Sequence, residues 1–144
     1  FSAAAVFLFA RIWDSRPSST PFETVSAAVT DAADLAPMDP GDNQMLRRLY
    51  GLDPEAWPQY TLYCPGSNMN VEELLVMKVP EGGDDAIRAA LEGRVASQIA
   101  SFEGYGPDQV AMLERSLIEV QGGYALLVVA PDPEPVRRAF LAAL

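Results

Sequence analysis

Apolar residues along this chain recur with two different periods, and the switches between them mark out the elements. From Phe22 onward, Val25, Val29 and Ala32 fall at helical spacing. Thr20, Pro21 and Glu23 read as a capping box with proline at the first helical position. Pro37 and Pro40 end that helix near Leu35. Asp42 then caps a short helix with Met45, Leu46 and Leu49 on one side, and Gly51 suits a left-handed stop. From Gln59 the period shortens. Tyr60, Thr61, Leu62, Tyr63 and Cys64 are strand formers, and Pro65, Gly66, Ser67 and Asn68 have turn chemistry. Residues 73–79 resume as a strand, ended by Pro80 and the Gly82-Gly83 pair.

Asp84 or Asp85 opens the strongest helix, in which Ile87, Leu91, Val95, Ile99 and Phe102 form one stripe. Arg88, Glu92, Arg94 and Gln98 lie mostly off it. Gly104 and Gly106 stop this helix, and Pro107 opens a short one carrying Val110 and Leu113. Residues 117–120 and 124–129 are strands joined across Gln121-Gly122-Gly123, where a Gly-Gly pair suits a tight primed turn. The nearly continuous apolar run 124–129 belongs inside the sheet. Asp132, Pro133 and Glu134 start a last helix that buries Val136, Phe140, Ala143 and Leu144. The order predicts a single α+β domain over residues 22–144. Its antiparallel sheet has about four strands, in two hairpins, with helices packed on one face.

Residues 1–13 are nearly all apolar, with Trp13 and Arg11 suited to a membrane-water boundary. The run is shorter than the roughly 20 residues that span a bilayer. It reads first as the remnant of a membrane anchor or export signal. The alternatives are an apolar helix packed on its own domain and a helix that packs copies of the chain together. A pilin-like subunit usually carries a glutamate in this region, where Ala5 stands here. Residues 14–21 hold two prolines and three consecutive hydroxyl residues and read as a linker.

Composition narrows the chemistry. The chain has 144 residues, a formal net charge of −10 and no histidine. Such an acidic surface speaks against nucleic acid as a partner, because binding phosphates needs clustered cations. Without histidine there is no Ser-His-Asp or Cys-His pair, and zinc lacks its commonest nitrogen ligand. Cys64 is the lone cysteine and reads as a buried core thiol. Lys78 is the lone lysine, and no serine stands at a Ser-Lys spacing from it. Asp39, Asp42, Asp84 and Asp85 fit helix N-termini better than a calcium loop. The Gly-Gly pairs lack the spacing of a phosphate loop. No catalytic residue, metal ligand or cofactor is assigned.

Four residues stand as ligand-binding candidates: Tyr60, Tyr63, Asn68 and Glu73. Either tyrosine can stack on a sugar or peptide from an open sheet face, or pack against the helices. Glu72 and Glu73 are adjacent, so a regular strand points them to opposite faces and they do not flank one sugar. A solvated edge or turn flank explains them better.

Four stretches stand in a fixed order: Leu49-Tyr50-Gly51-Leu52, a tyrosine-glycine step after a short helix; Ser67-Asn68-Met69-Asn70-Val71-Glu72-Glu73-Leu74, a loop into a strand bearing an acidic residue; Phe102 with Tyr105-Gly106-Pro107-Asp108-Gln109, a step between helices; and residues 123–129, a closing hairpin. Together they resemble a bacterial exported family catalogued as domain of unknown function 4358. The resemblance implies an exported protein held at a membrane, usually by lipid. No cysteine stands near this start, so a proteinaceous anchor is expected instead. The resemblance assigns no catalytic residue and implies a role near cell-surface polymer modification. The reading is therefore a non-enzymatic, extracytoplasmic, membrane-tethered surface module binding a partner protein or cell-surface polymer. The alternatives are an accessory subunit or enzyme of polysaccharide modification, and a self-associating, pilin-like filament subunit.

Overall fold

The computed structural model describes residues 17–144. Among these residues the order is α1 (Phe22–Ala32), β1 (Met38–Pro40), α2 (Asn43–Tyr50), β2 (Tyr60–Pro65), β3 (Glu73–Lys78), α3 (Asp84–Phe102), α4 (Pro107–Glu114), β4 (Leu117–Gln121), β5 (Tyr124–Val129) and α5 (Glu134–Ala143). The strands form one antiparallel sheet in the order β1-β2-β3-β5-β4. The two expected hairpins lie side by side, joined where Leu75 pairs with Leu127 and Val76 with Leu126.

The expected four strands are five. Met38, Asp39 and Pro40 pair with Pro65, Cys64 and Tyr63 as an edge strand. Pro40, read only as a helix stop, ends this strand, and proline is tolerated on an edge, where its missing N–H faces no neighbour. Flanking bonds complete the attachment: the Gly41 N–H donates to the Leu62 carbonyl at 2.8 Å and the Gly66 N–H to the Pro37 carbonyl at 3.0 Å.

The expectation of helices on one face is also corrected: they cover both. The reason lies in β3 and β5, which are apolar on both sides. Leu75, Met77, Ala125, Leu127 and Val129 face α2, α3 and α4, packing against Leu46, Ile87, Leu91, Phe102 and Leu113. Leu74, Val76, Tyr124, Leu126 and Val128 face α1 and α5, packing against Val25, Val29, Val136 and Phe140. A strand buried on two sides needs two covers. Burying each such side chain contributes about 1.5–3 kcal/mol.

Local chemistry sets the element ends. Asp42 accepts the Met45 N–H at 3.0 Å through Oδ1, and Gly51 closes α2 at φ 66°. Gly122 and Gly123, at φ 65° and 81°, make the β4–β5 turn of primed type. The capping box expected at Thr20 does not form. Pro21 is the N-cap of α1, and the Thr20 hydroxyl donates to the Leu144 carbonyl at 3.3 Å instead.

The apolar segment expected over 1–13 lies outside the described residues. Within 14–21, the described part is tied to the body. The Ser18 N–H donates to the Gly122 carbonyl at 2.7 Å, and Tyr124 Oη to the Thr20 carbonyl at 2.6 Å. Among the described residues no helix is long and apolar enough to cross a membrane.

Candidate functional site

The four candidate residues do not converge. Tyr60 and Tyr63 are three apart on β2 and so take opposite sheet faces. Tyr60 packs at the margin of the α2–α4 side, where its hydroxyl donates to Asn43 Oδ1. Burial first, then the charge of Asp42, raises its phenol above the ordinary value. Tyr63 packs on the α1–α5 side. Asn68 is exposed on the β2–β3 loop.

Glu73 departs furthest from expectation. It is neither an edge charge nor a turn flank. It is 2% exposed, at the start of a strand paired on both sides. Alternation puts it on the same face as Leu75 and Met77, beneath α2 and α3. A carboxylate removed from water there needs a counter-charge and hydrogen bonds. Arg94 of α3 supplies both. Its Nη2 lies 2.7 Å from Glu73 Oε1 and its Nε 3.1 Å from Oε2. The Tyr50 hydroxyl, on the last residue of α2, donates to Oε2 as well. Every buried side-chain nitrogen and oxygen among the described residues has a partner.

The electrostatics follow from this closure. Burial lowers the Arg94 pKa, but the hydrogen bonds and charge of Glu73 outweigh it and leave the guanidinium more firmly protonated than usual. Burial, then the Glu73 carboxylate, drives the Tyr50 phenol well above its ordinary range. Cys64 sits in the same field. Burial first, then Glu73, pushes its thiol up to about 11. At neutral pH the cluster therefore holds a protonated phenol, a protonated thiol and a carboxylate already engaged by a guanidinium fork. None is a nucleophile or a base at rest. What the cluster does is tie α2, β3 and α3 together.

Sequence reasoning missed Arg94 by leaving it off the helix stripe. It lies three residues after Leu91, on the flank of that stripe, which carries it to the sheet. A charged residue directly before the apolar run Leu74–Met77 of an internal strand was the available signal.

The same end of the sheet carries an outer surface. The loop 66–72 and the turn 103–106 are each braced to the body. Gln109 Nε2 donates to the Met69 carbonyl at 3.0 Å, and Asn70 Nδ2 to the Pro37 carbonyl at 3.0 Å. The Tyr105 ring lies 5.5 Å from that of Phe102, itself in the core. Met69 and Tyr105 nonetheless remain 55% and 60% exposed, the large apolar side chains most open to water among the described residues. No grouping of acidic residues and cysteine able to hold a metal occurs among the described residues.

A family described as Domain of unknown function (DUF4358) matches residues 31–130. The matched span contains the whole sheet, the Tyr50–Glu73–Arg94 cluster and the loops bearing Met69 and Tyr105. No curated protein and no solved structure matches the chain.

Proposed function

The chain belongs to the DUF4358 family, and from that premise we propose that it is a non-enzymatic surface module. It stands outside the cytoplasm, is tethered to a membrane through its apolar start, and binds a partner protein or a cell-surface polymer. One observation carries the reading: Met69 and Tyr105, the most exposed large apolar side chains, stand on segments locked in place by Gln109, Asn70 and Phe102. Segments whose backbone is already held lose little further freedom on binding. Side chains of this kind are the usual anchors of recognition surfaces.

Two features support the rest. The polar cluster around Glu73 is closed, which leaves it a brace rather than a reaction centre. The tether would also enter at the far end of the molecule. Ser18 is bonded at the β4–β5 turn, where β3 ends, whereas Met69 and Tyr105 lie beyond the start of β3. A strand of six residues separates those ends by about 20 Å. An anchored molecule would turn this surface away from the bilayer.

The test is photocrosslinking of the full chain in its native membranes, with a photoreactive phenylalanine in place of Tyr105. A discrete adduct that disappears with Met69→Asp, while the melting temperature holds, is expected. The same adduct formed from position 138 on α5, or one insensitive to Met69→Asp, overturns the reading.

A further inference from the structure

On the other sheet face, a cleft of about 260 Å³ lies between the C-terminal end of α1 and the N-terminal end of α5. Met38, Leu74, Val128 and Val136 lie buried beneath it, and Ala32, Ala33, Ala130 and Pro131 form its more open apolar rim. Covering that apolar rim with an apolar group removes it from water and is favourable.

The lining is acidic as well. Asp34 and Asp132 belong to the cleft, each held by its own turn: Asp34 Oδ1 accepts the Ala36 N–H at 3.1 Å and Asp132 Oδ1 the Glu134 N–H at 3.3 Å. Glu72, just before β3, is a third carboxylate within reach of the charge of Asp34. Partial burial, then the charge of Asp34, holds the Glu72 carboxyl above the usual range. Among the described residues none of the three acids takes part in a salt bridge. An apolar floor under converging negative charge is complementary to an apolar side chain with cations beside it.

We propose that this cleft docks an extended segment of a partner protein, one that presents a single apolar side chain flanked by Lys or Arg. The site is independent of the Met69–Tyr105 surface, since it lies on the opposite face of the sheet. Its occupant inserts the apolar group over Leu74 and Val128 and sets its cations against Asp34 and Asp132.

Fluorescence anisotropy at low salt tests this, with the full chain kept soluble in neutral detergent micelles and a labelled Gly-Arg-Leu-Arg-Gly peptide as probe. Saturable binding is expected, about tenfold tighter than for Gly-Arg-Ser-Arg-Gly, because the leucine loses its water in the cleft. Asp34→Asn with Asp132→Asn should weaken it about tenfold, the scale of two exposed ion pairs, without lowering the melting temperature. Ala33→Leu, which fills the cleft from its α1 side, should abolish it. Amide shifts should gather at residues 32–38, 72–74 and 128–136. Equal affinity for the leucine and serine peptides reduces the effect to bulk charge and overturns the proposal. So does a dimer of the chain that Ala33→Leu dissolves, since the occupant is then a second copy. Binding that Met69→Asp removes and Ala33→Leu leaves intact also overturns it, and places the peptide on the other surface.

Discussion

Glu73 bears its charge where every same-face neighbour on β3 is apolar, so its energetics are those of a buried ion pair. Glu73→Gln keeps the shape and removes the charge, leaving the Arg94 guanidinium uncompensated. We expect a loss of about 3–5 kcal/mol in urea unfolding. Replacing the whole cluster with Tyr50→Phe, Glu73→Leu and Arg94→Met should recover most of that loss, because no buried charge then remains. A triple variant no more stable than Glu73→Gln would show the cluster to be irreplaceable. Cys64 gives a second test at this scale, through pH. Its thiol titrates at about 11 in the fold against an ordinary 9.0, so the folded chain keeps a proton that the unfolded chain gives up. Its contribution is intact below 9 and is lost as pH rises toward 11, about 2–3 kcal/mol at 1.4 kcal/mol per unit. Cys64→Ala should flatten stability between pH 9 and 10, and an unchanged slope would mean the thiol does not titrate from the core. Cys64 was legible as a core thiol from its strand pattern. Glu73 was not, because burial of an acid depends on a partner 21 positions away that no local pattern reveals.

Elements were legible where short-range chemistry decides them. Asp42 and Gly51 bound α2 as their side chains require, since a cap and a left-handed stop each depend on a few neighbouring residues. Gly122-Gly123 likewise dictates the β4–β5 hairpin, and the stripe from Ile87 to Phe102 dictates α3. Two features were set by distant contacts instead. β1 is three residues long and exists only because the edge of β2 offers it partners. The Thr20 hydroxyl had a suitable local role, but the Leu144 carbonyl at the other end of the chain competes for it. The placement of helices on both faces was present in the sequence in a subtler form. Leu74, Leu75, Val76 and Met77 are consecutive apolar residues, and alternation assigns two to each side of the sheet. Read as a central strand alone, the run locates β3. Read for its two sides, it also demands a second helical layer.

At the scale of the molecule, polarity along the sheet axis is what joins fold to function. The first described residues are bonded to the β4–β5 turn at one end. The exposed Met69 and Tyr105, and the acidic cleft beside β1, lie at the other. If the chain is anchored, its formal net charge of −10 means that an anionic bilayer repels the body. If residues 1–13 anchor the chain, the two ends differ in their distance from lipid, and chemical labelling reads that difference. Cys64 contributes little background, being buried and protonated at neutral pH. Single thiols introduced by Tyr105→Cys and Gln121→Cys are therefore distinguishable in the otherwise unchanged chain. With a bulky membrane-impermeant maleimide, Tyr105→Cys should label as fast on intact cells as in the protein freed in detergent. Gln121→Cys, beside the turn that holds Ser18, should label several-fold more slowly on cells than in detergent. Equal slowing at both positions would mean the body lies flat on the membrane. Labelling of neither until the cells are permeabilised would place it on the cytoplasmic side, and the surface module would have to be abandoned.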